Sequence, residues 1–123
     1  MNRKNFKKNV EKLFSKLSLF SYIDENLNVV YASALDLFGY GYDEKEAKES
    51  LEINLAEYID FTQRNNSLEK DIKIYGWSID KKNNKIISPE KTSLLNKNEI
   101  LKEVIDRKVF KKFYLNVPFP SLA

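Results

Sequence analysis

A pair of glycines beside a helix-start motif constrains the fold of this chain more than any other feature. The sequence contains only 3 glycines, and two of them, Gly39 and Gly41, stand one residue apart in the stretch LDLFGYG. Because glycine lacks a Cβ atom, it tolerates positive φ angles and lets another segment of backbone come close. We therefore predict a β-bulge or a sharp bend in a short third strand, with a plain surface turn as the alternative.

The residues after the glycines predict a long amphipathic helix. Asp43 is a suitable N-cap, and Glu46 follows three positions later, which is the pattern of a capping box with acidic residues in the first turn. We expect the helix to end at about Gln63. Its apolar side, which we expect to face a sheet, consists of Ala47, Leu51, Leu55, Tyr58 and Phe61. Ile53 lies off this stripe, and we expect it to be exposed.

Two strand-like stretches precede the glycine pair and are joined by a short polar turn. The stretches LSLFSYI, which begins at Leu17, and NVVYASALDL are rich in β-branched and aromatic residues, and the Asp-Glu-Asn between them favours a turn. They predict an antiparallel hairpin with Tyr31, Ser33 and Leu35 on one face of its second strand. The residues before Leu17 fit either a helical stripe or a strand face, and we expect a firm strand only from Leu17 onward.

The second half of the chain predicts a series of shorter elements. Ser67 can cap a second helix that stops at Gly76, and the stretch WSIDKKNNKIIS predicts a hairpin with a Lys/Asn turn. Residues 92–107 predict a helix, which Asn96 or Asn98 divides in two. The final stretch FKKFYLNVPFP contains two prolines and predicts an edge strand or an extended tail.

Length and residue usage limit the class of protein. A chain of 123 residues can bury one ordinary core, and we expect a single domain. Cysteine and histidine are both absent, which excludes disulfides, thiolate metal sites and a Ser-His-Asp triad. We see neither an apolar stretch long enough to cross a bilayer nor a signal peptide, so we expect a cytoplasmic protein without a membrane partner.

The net charge of +3 is distributed unevenly along the chain. Residues 1–16 carry six basic residues and one acidic residue, whereas residues 17–96 carry nine basic and fourteen acidic residues. Residues 97–123 are basic again, with six basic and three acidic residues. A basic head on an acidic body is typical of contact with nucleic acid or an acidic partner, or of a solvated terminus. Tyr40 and Tyr42 have rings that can stack on bases, but we expect them to pack on the sheet.

Acidic residues near the predicted hairpin leave a metal-dependent hydrolase as an alternative. Asp24, Glu25, Asp36 and Asp43 could hold Mg²⁺ together if the fold gathered them. The predicted turn and helix cap already explain the other three, so Asp36 is the one without an evident structural task. An Asp at a strand end also forms turns by bonding nearby backbone amides, and the glycine pair lacks the Lys-Ser/Thr of a phosphate-binding loop. We therefore expect no catalytic residues and no metal.

The predicted strands, the LDLFGYG stretch and the helix start DEKEAKES resemble the HicB antitoxin family. In that family a hairpin leads to a strand end of the type P-x-L-x-G, followed by a short strand and an acidic helix start of the type D-T-x-E-E-A. The matching positions here are Leu35, Asp36, Gly39, Gly41, Asp43, Glu46 and Ala47. The stretch SLEKDIKIYGW, which contains Gly76 and Trp77, resembles the L-x-x-L-G-W element of a HicB-like subgroup. Ser33 stands where relatives commonly have Pro, and no C-terminal DNA-binding module is recognisable.

The resemblance implies an α+β domain related to a degenerate ribonuclease H fold without its catalytic carboxylates. The expected architecture is an antiparallel three-stranded sheet in the order ββ-β-α, packed by one long helix. An additional hairpin, a helix and a C-terminal strand complete it. Within the single domain 1–123, residues 17–80 would form the core. Residues 81–123 would then be a C-terminal extension, and residues 1–16 a basic N-terminal segment.

The resemblance also implies a function. HicB proteins neutralise a HicA-type mRNA-cleaving toxin by covering its active surface, and they self-associate. An acidic body suits a basic, RNA-binding partner, and such a role needs no cofactor. Strand edges at residues 17–23 or 110–117 are candidates for pairing in a homodimer. The partner-binding surface that we predict comprises Leu37, Tyr40, Tyr42, Glu49, Glu52, Glu57 and Asp60.

Three other functions are alternatives at this point. The first is a stand-alone homo-oligomeric interaction module without a toxin partner. The second is a nucleic-acid-binding protein that uses the basic head. The third is the hydrolase built on Asp36.

Overall fold

A computed structural model describes residues 12–80, 82–83, 85–89 and 98–120. The elements follow in the order β1 (Lys12–Asp24), β2 (Leu27–Ala32), β3 (Leu37–Gly41), α1 (Glu44–Arg64), α2 (Leu68–Ile74), β4 (Ser78–Asp80), β5 (Lys85–Ile87), α3 (Glu99–Arg107) and β6 (Lys111–Pro120). Four strands form one antiparallel sheet of order β3-β2-β1-β6, and β4 and β5 form a separate hairpin. The architecture is therefore mixed α+β. In the part of the chain that the structure describes, no helix is long and apolar enough to cross a bilayer.

The main sheet has four strands, whereas the sequence predicted three. β6 pairs with β1 over its full length, with Leu115 opposite Leu17 and Pro120 opposite Lys12. The predicted C-terminal edge strand is confirmed, but it belongs to the main sheet rather than to an extension. β1 begins at Lys12 instead of Leu17 because β6 supplies hydrogen-bonding partners for the extra residues. Residues 12–21 of β1 pair with β6 and residues 19–24 pair with β2, so every residue of the predicted edge at 17–23 already has a strand partner on at least one side.

One face of the sheet packs against α1, α2 and the small hairpin. Its core consists of Leu17, Leu19, Val30, Ala32, Ala34, Leu35, Ala47, Leu51, Leu55, Leu68, Ile72, Trp77, Ile86, Val117 and Phe119. Trp77 joins the hairpin to the sheet, because its indole N–H donates to the Ala34 carbonyl oxygen at 2.8 Å. The indole ring also meets the Phe119 ring edge-on at 5.4 Å between centroids. The predicted hairpin around Trp77 is thus confirmed.

The opposite face of the sheet packs against α3. Its core consists of Phe20, Tyr22, Val29, Tyr31, Leu101 and Val104, with Phe38, Ile105 and Phe110 packed against it. The sheet is therefore covered on both faces, rather than by one long helix alone. α3 leaves the part of this face along β1 and β6 beyond Phe20 open to solvent, where Lys16 and Tyr114 are exposed.

Gly39 and Gly41 lie inside β3 and not at a bend or bulge. The register between β2 and β3 runs without interruption, and neither glycine has a positive φ. A Cβ atom on Gly39 would overlap the Ala47 carbonyl oxygen and the Leu51 backbone nitrogen, and one on Gly41 would lie 2.7 Å from the Glu46 Cβ. The predicted bend and the alternative surface turn are therefore both wrong. The glycines are needed because α1 lies directly against the β3 backbone.

The predicted helix start is confirmed with one difference in its cap. Asp43 Oδ1 accepts a hydrogen bond from the Glu46 backbone N–H at 2.7 Å. The Glu46 carboxylate accepts from the Tyr42 backbone N–H at 3.1 Å, instead of from the N–H of the N-cap residue itself. Both acidic side chains therefore help to fix the angle at which the chain leaves β3 and enters α1.

The buried side of α1 differs from the predicted stripe in its last turns. The helix ends at Arg64, one residue beyond the predicted end. Phe61 was predicted to face the sheet but is 59% exposed, whereas Thr62 is buried and donates its hydroxyl to the Tyr58 carbonyl oxygen at 2.8 Å. Ile53 is exposed, as predicted.

The later helices agree with the sequence predictions only in part. Ser67 makes no side-chain cap to α2; its hydroxyl instead donates to the Thr62 carbonyl oxygen at 3.4 Å. α2 stops before Gly76, which has a φ of 94° in the left-handed region that favours glycine. α3 begins at Glu99, and residues 92–97 of the predicted helix lie outside the described residues.

Candidate functional site

The main sheet has one edge that is hydrogen-bonded to α1 and one edge that no described segment pairs with. At the β3 edge, the Asn54 side-chain amide donates to the Phe38 carbonyl oxygen at 2.7 Å, and the Ser50 hydroxyl accepts from the Tyr40 N–H at 3.2 Å. Side chains of α1 therefore occupy outward-facing main-chain groups of β3. At the other edge, none of the described segments pairs with the outer side of β6. An uncovered strand edge offers a row of free main-chain groups, which is the usual template for adding another strand.

Pro118 defines which main-chain groups of β6 face outward. In an antiparallel pair, alternate residues direct both their N–H and C=O groups toward the same neighbour. Proline has no N–H and is found on edge strands with its nitrogen directed away from the sheet. By the same alternation Lys112, Tyr114 and Asn116 direct their main-chain groups outward with Pro118, and no strand of the described residues pairs with them.

A groove of about 390 Å³ runs between α1 and β6 beside this open edge. Its apolar residues are Leu55, Ala56, Ile59, Leu115, Val117 and Pro118. Its acidic residues are Glu52 and Asp60, both on α1, and its neutral polar residues are Gln63 and Asn116. α1 as a whole contains six acidic and three basic residues. The groove is therefore apolar along its length and acidic on the side of the helix, although Asp60 also forms an exposed ion pair with Arg64 at 3.1 Å.

The structure divides the predicted partner-binding residues between different surfaces. The four acidic residues are all exposed on α1, but only Glu52 and Asp60 line the groove. Glu49 and Glu57, also predicted, lie elsewhere on the helix surface. The four predicted acidic residues therefore belong to two different parts of the α1 surface, and their role in binding a partner stays a prediction.

The other three predicted residues lie at the β3 side of the fold. Leu37 is half-buried and packs against the core beneath α1. Tyr40 is 52% exposed and stacks on the Phe38 ring at 6.0 Å between centroids, while Tyr42 is 84% exposed. The expectation that both tyrosines pack on the sheet is therefore wrong for Tyr42. These three residues lie at the sheet edge that α1 covers, whereas the groove adjoins the opposite edge.

Asp36 belongs to a hydrogen-bonded chain that ties the sheet to α3. The Tyr31 hydroxyl donates to Asp36 Oδ1 at 2.7 Å, and it accepts from Asn98 Nδ2 at 2.7 Å. The other side-chain atom of Asn98, Oδ1, caps α3 by accepting from the Leu101 N–H at 2.9 Å. Burial raises the pKa of Tyr31 and outweighs the hydrogen bond from Asn98, which lowers it. The hydrogen bond to Asp36 also raises the pKa, so the phenol remains a neutral donor. Asp36 thus has a structural task that its position in the sequence did not reveal.

Asp36 also ends the turn that links β2 to β3. Its φ of 54° lies in the left-handed region, which Asp and Asn tolerate better than most residues. Ser33 and Leu35, predicted to share a strand face with Tyr31, lie within this turn instead. The predicted bonding of the Asp36 side chain to nearby backbone amides is replaced by its bond to the tyrosine.

The carboxylates considered as metal ligands do not gather in one place. Within the described ranges, no three acidic side chains come close enough together to hold a metal ion. Asp24 forms an ion pair with Lys108 at 3.3 Å, Asp43 caps α1 and Asp36 accepts from a tyrosine. Glu25 lies in the β1–β2 turn with a φ of 50°. Three of the four acids therefore have identified structural partners.

The groove was not predicted from the sequence, because the C-terminal stretch was expected to be an edge strand or an extended tail outside the core. A signal for it is nevertheless present. Residues 112–119 alternate strictly, with Phe113, Leu115, Val117 and Phe119 at the odd positions and polar residues, Tyr114 or proline between them. Such alternation is typical of a strand with one buried face. It predicts a strand packed on a core, although it does not identify β1 as its neighbour.

Comparisons with known proteins give no match. No protein-family model matches the chain, and neither the curated proteins nor the solved structures give a significant match.

Proposed function

We propose that the protein is a HicB-like protein-binding module of the antitoxin type, which neutralises a small RNA-cleaving, HicA-like toxin by covering its active surface. The observation that supports it most directly is the open β6 edge beside an apolar groove with acidic residues at its α1 side. A protein that cleaves RNA carries basic groups that contact phosphates, so Glu52 and Asp60 give electrostatic complementarity to it. Because the target of such a toxin is mRNA, a cytoplasmic location is part of the proposal.

The mode of binding that fits this surface is the addition of a strand from the partner to β6. The free main-chain groups of Lys112, Tyr114 and Asn116 would supply the hydrogen bonds. Alternate side chains of the added strand would then enter the groove, where apolar ones meet Ile59 and basic ones meet Glu52. Strand addition gives affinity through the main chain and specificity through the alternate side chains.

Pairing with a second copy of the chain is the competing use of this edge. Self-association is implied by the HicB resemblance, and β6 is an available strand edge. Antiparallel pairing of two β6 strands would continue the sheet and place both α1 helices on the same side of it. Glu52 and Asp60 of each copy would then face the same residues of the other, and like charges in this position oppose association. We therefore assign the groove to a basic partner protein.

The residues that carry the HicB resemblance hold the scaffold of this surface together. Gly39 and Gly41 let α1 lie against β3, Asp43 starts the helix and Trp77 fastens the hairpin to the sheet. None of these four lines the groove. The motif therefore supports the proposal by positioning α1, and the partner contacts depend on other residues.

Co-expression with the products of the flanking genes tests the proposal. We expect one of them to be a small basic protein that stops growth and cleaves mRNA. Co-expression of the wild-type chain should restore growth, and the two proteins should copurify. The variant E52K/D60K should lose both effects, because it reverses the charge at the groove.

The variant E49K/E57K is the matched control for this experiment. It makes the same charge change on the same helix, but away from the groove, so it should rescue growth like the wild type. Rescue by E52K/D60K together with failure of E49K/E57K would show that the groove is not the contact surface. Absence of a toxic neighbouring product, or copurification of the chain only with itself, would contradict the antitoxin role.

A further inference from the structure

A second surface lies on the face of the sheet opposite the groove, where α3 leaves β1 and β6 uncovered. Its side chains come in cross-strand pairs, with Ser18 opposite Tyr114 and Lys16 opposite Asn116. Lys112 stands next to Tyr114 on the same side of β6, opposite the buried Phe20. We call Lys16, Ser18, Lys112, Tyr114 and Asn116 the Tyr114 face. All of its members except the half-buried Ser18 are exposed.

Two lysines flank the ring of Tyr114. Lys112 Nζ lies 5.2 Å and Lys16 Nζ 5.6 Å from the centroid of this ring, which is 55% exposed. In the described part of the chain, neither lysine has a carboxylate within ion-pair distance. By contrast, Lys108 pairs with Asp24 and Lys111 with Glu44. The positive charge on the Tyr114 face is therefore uncompensated, and an aromatic ring lies between its two centres.

The two strands beneath this face carry almost no negative charge. β6 contains no acidic residue, and β1 contains only Asp24, at its far end. The acidic residues near β6 are Glu52 and Asp60 in the groove and Glu44 beside Lys111, and all three belong to α1 on the other side of the sheet. The acidic groove and the basic, aromatic Tyr114 face therefore lie on opposite faces of the sheet at β6. An anionic ligand with aromatic groups is the chemistry that the second surface fits.

We propose that the Tyr114 face binds single-stranded nucleic acid, with Tyr114 stacking on a base and Lys16 and Lys112 contacting phosphates. An exposed ring between cationic groups on an open sheet is the arrangement by which sheet surfaces hold unpaired nucleotides. A base inside a duplex is already stacked on both sides, so the ring selects single strands. This function is additional to the proposed antitoxin role. It uses the side chains of Lys112 and Tyr114, whereas strand addition would use the main-chain groups of these residues and the groove on the other side of the sheet. It also differs from binding through the residues of the basic head that precede β1, because Lys16 lies in β1 and Lys112 in β6.

Fluorescence anisotropy with a labelled single-stranded oligonucleotide tests the proposal. The full chain is titrated against RNA and DNA of about 15 nucleotides, a length near the upper limit for one small binding surface. We expect K16Q/K112Q to weaken binding at least about tenfold. The slope of log K against log salt should also become shallower by about 1.4, since each phosphate contact on a single strand contributes about 0.7. Y114L should weaken binding by about tenfold through loss of stacking, whereas Y114F should stay within about twofold.

Two control variants separate this face from general electrostatics. K45Q/K82Q removes the same charge from α1 and from the small hairpin, and it should leave the affinity within about twofold. The variant R3Q/K4Q/K7Q/K8Q removes the four basic side chains of the head that precede β1 and leaves Lys16 in place. Binding that is lost only in the head variant, or equally in K45Q/K82Q, would overturn the proposal. Unchanged affinity in Y114L, equal affinity for duplex, tighter binding of poly-glutamate, or no binding at low salt would overturn it as well.

Discussion

The side-chain amide of Asn54 donates a hydrogen bond to the carbonyl oxygen of Phe38 at 2.7 Å, and so α1 binds the outer edge of β3. Ser50, one helical turn earlier, makes the corresponding contact with the Tyr40 N–H. These bonds occupy main-chain groups that would otherwise be free for another strand. The sheet can therefore be extended at β6 but not at β3, and this asymmetry places the binding surface at one side of the molecule.

Replacing Asn54 by Ala should destabilise the fold by about 1 kcal/mol, since it removes one hydrogen bond to the main chain. Urea unfolding followed by the fluorescence of Trp77, the only tryptophan, measures this change. E57A is the control on the same helix, and it should stay within about 0.5 kcal/mol of the wild type because its side chain is exposed. Equal stability of N54A and E57A would show that α1 does not hold the β3 edge in solution.

Substitution of Gly39 by Ala should destabilise the protein by about 3 kcal/mol or more, because overpacking against a rigid backbone cannot be relieved by side-chain movement. The added methyl group would overlap the Ala47 carbonyl oxygen, so α1 would have to move away from β3. Y42A, at an exposed position just after β3, should change the free energy of unfolding by less than about 0.5 kcal/mol. Urea midpoints of the two variants give the comparison. A loss below 1 kcal/mol in G39A would contradict the close approach of α1.

Two substitutions at Asp36 should have different effects. D36N keeps an acceptor for the Tyr31 hydroxyl, and Asn tolerates left-handed φ, so we expect a change below about 0.5 kcal/mol. D36A loses the hydrogen bond and places a β-carbon without polar contacts in a strained conformation, and we expect a loss of about 2 kcal/mol. Thermal unfolding of both variants measures the difference. Equal destabilisation by D36N and D36A would show that the carboxylate has a task besides accepting this bond.

Stability should fall as the pH rises above 10. Burial raises the pKa of Tyr22 from 10.0 to about 12, with smaller contributions from Tyr40, Asp24 and Glu103. The folded state therefore keeps a proton that the unfolded state has lost. The resulting stabilisation is complete below pH 10 and is lost as the pH approaches 12. Y22F should reduce the slope of urea midpoint against pH in this range, and an unchanged slope would contradict the assignment. Burial also raises the pKa of Tyr31 and Tyr58, so part of the slope should remain in Y22F.

Local patterns in the sequence predicted most elements but not their arrangement. The Asp43 cap, the long helix, the stop at Gly76 and the hairpin after Trp77 follow from interactions between residues close in the chain. The pairing of β6 with β1 joins residues about a hundred positions apart, and no local propensity specifies such a partner. Phe61 was misplaced because the buried side of α1 continues through Tyr58 and Thr62, so tertiary contacts rather than hydrophobicity decide which residue faces inward.

Of the residues that line the groove, only those on α1 could be predicted from the sequence. Glu52 and Asp60 were identified as exposed acids on α1, and they line the groove. Leu115 and Val117 were not, since their importance depends on the neighbour that β6 finds. The function of the glycine pair was misread for a similar reason: lack of a Cβ permits both a bend and a close approach, and only the position of α1 decides between them.

Hydrogen–deuterium exchange of the chain with and without the partner identified by co-expression shows which main-chain amides the partner covers, and so whether a partner binds at the β6 edge and the groove. We expect new protection at Lys112, Tyr114 and Asn116 in β6, and along α1 at Glu52 and Asp60, with β3 unchanged. Protection confined to residues 37–42, or a complex that leaves β6 exchanging as in the free protein, would contradict it.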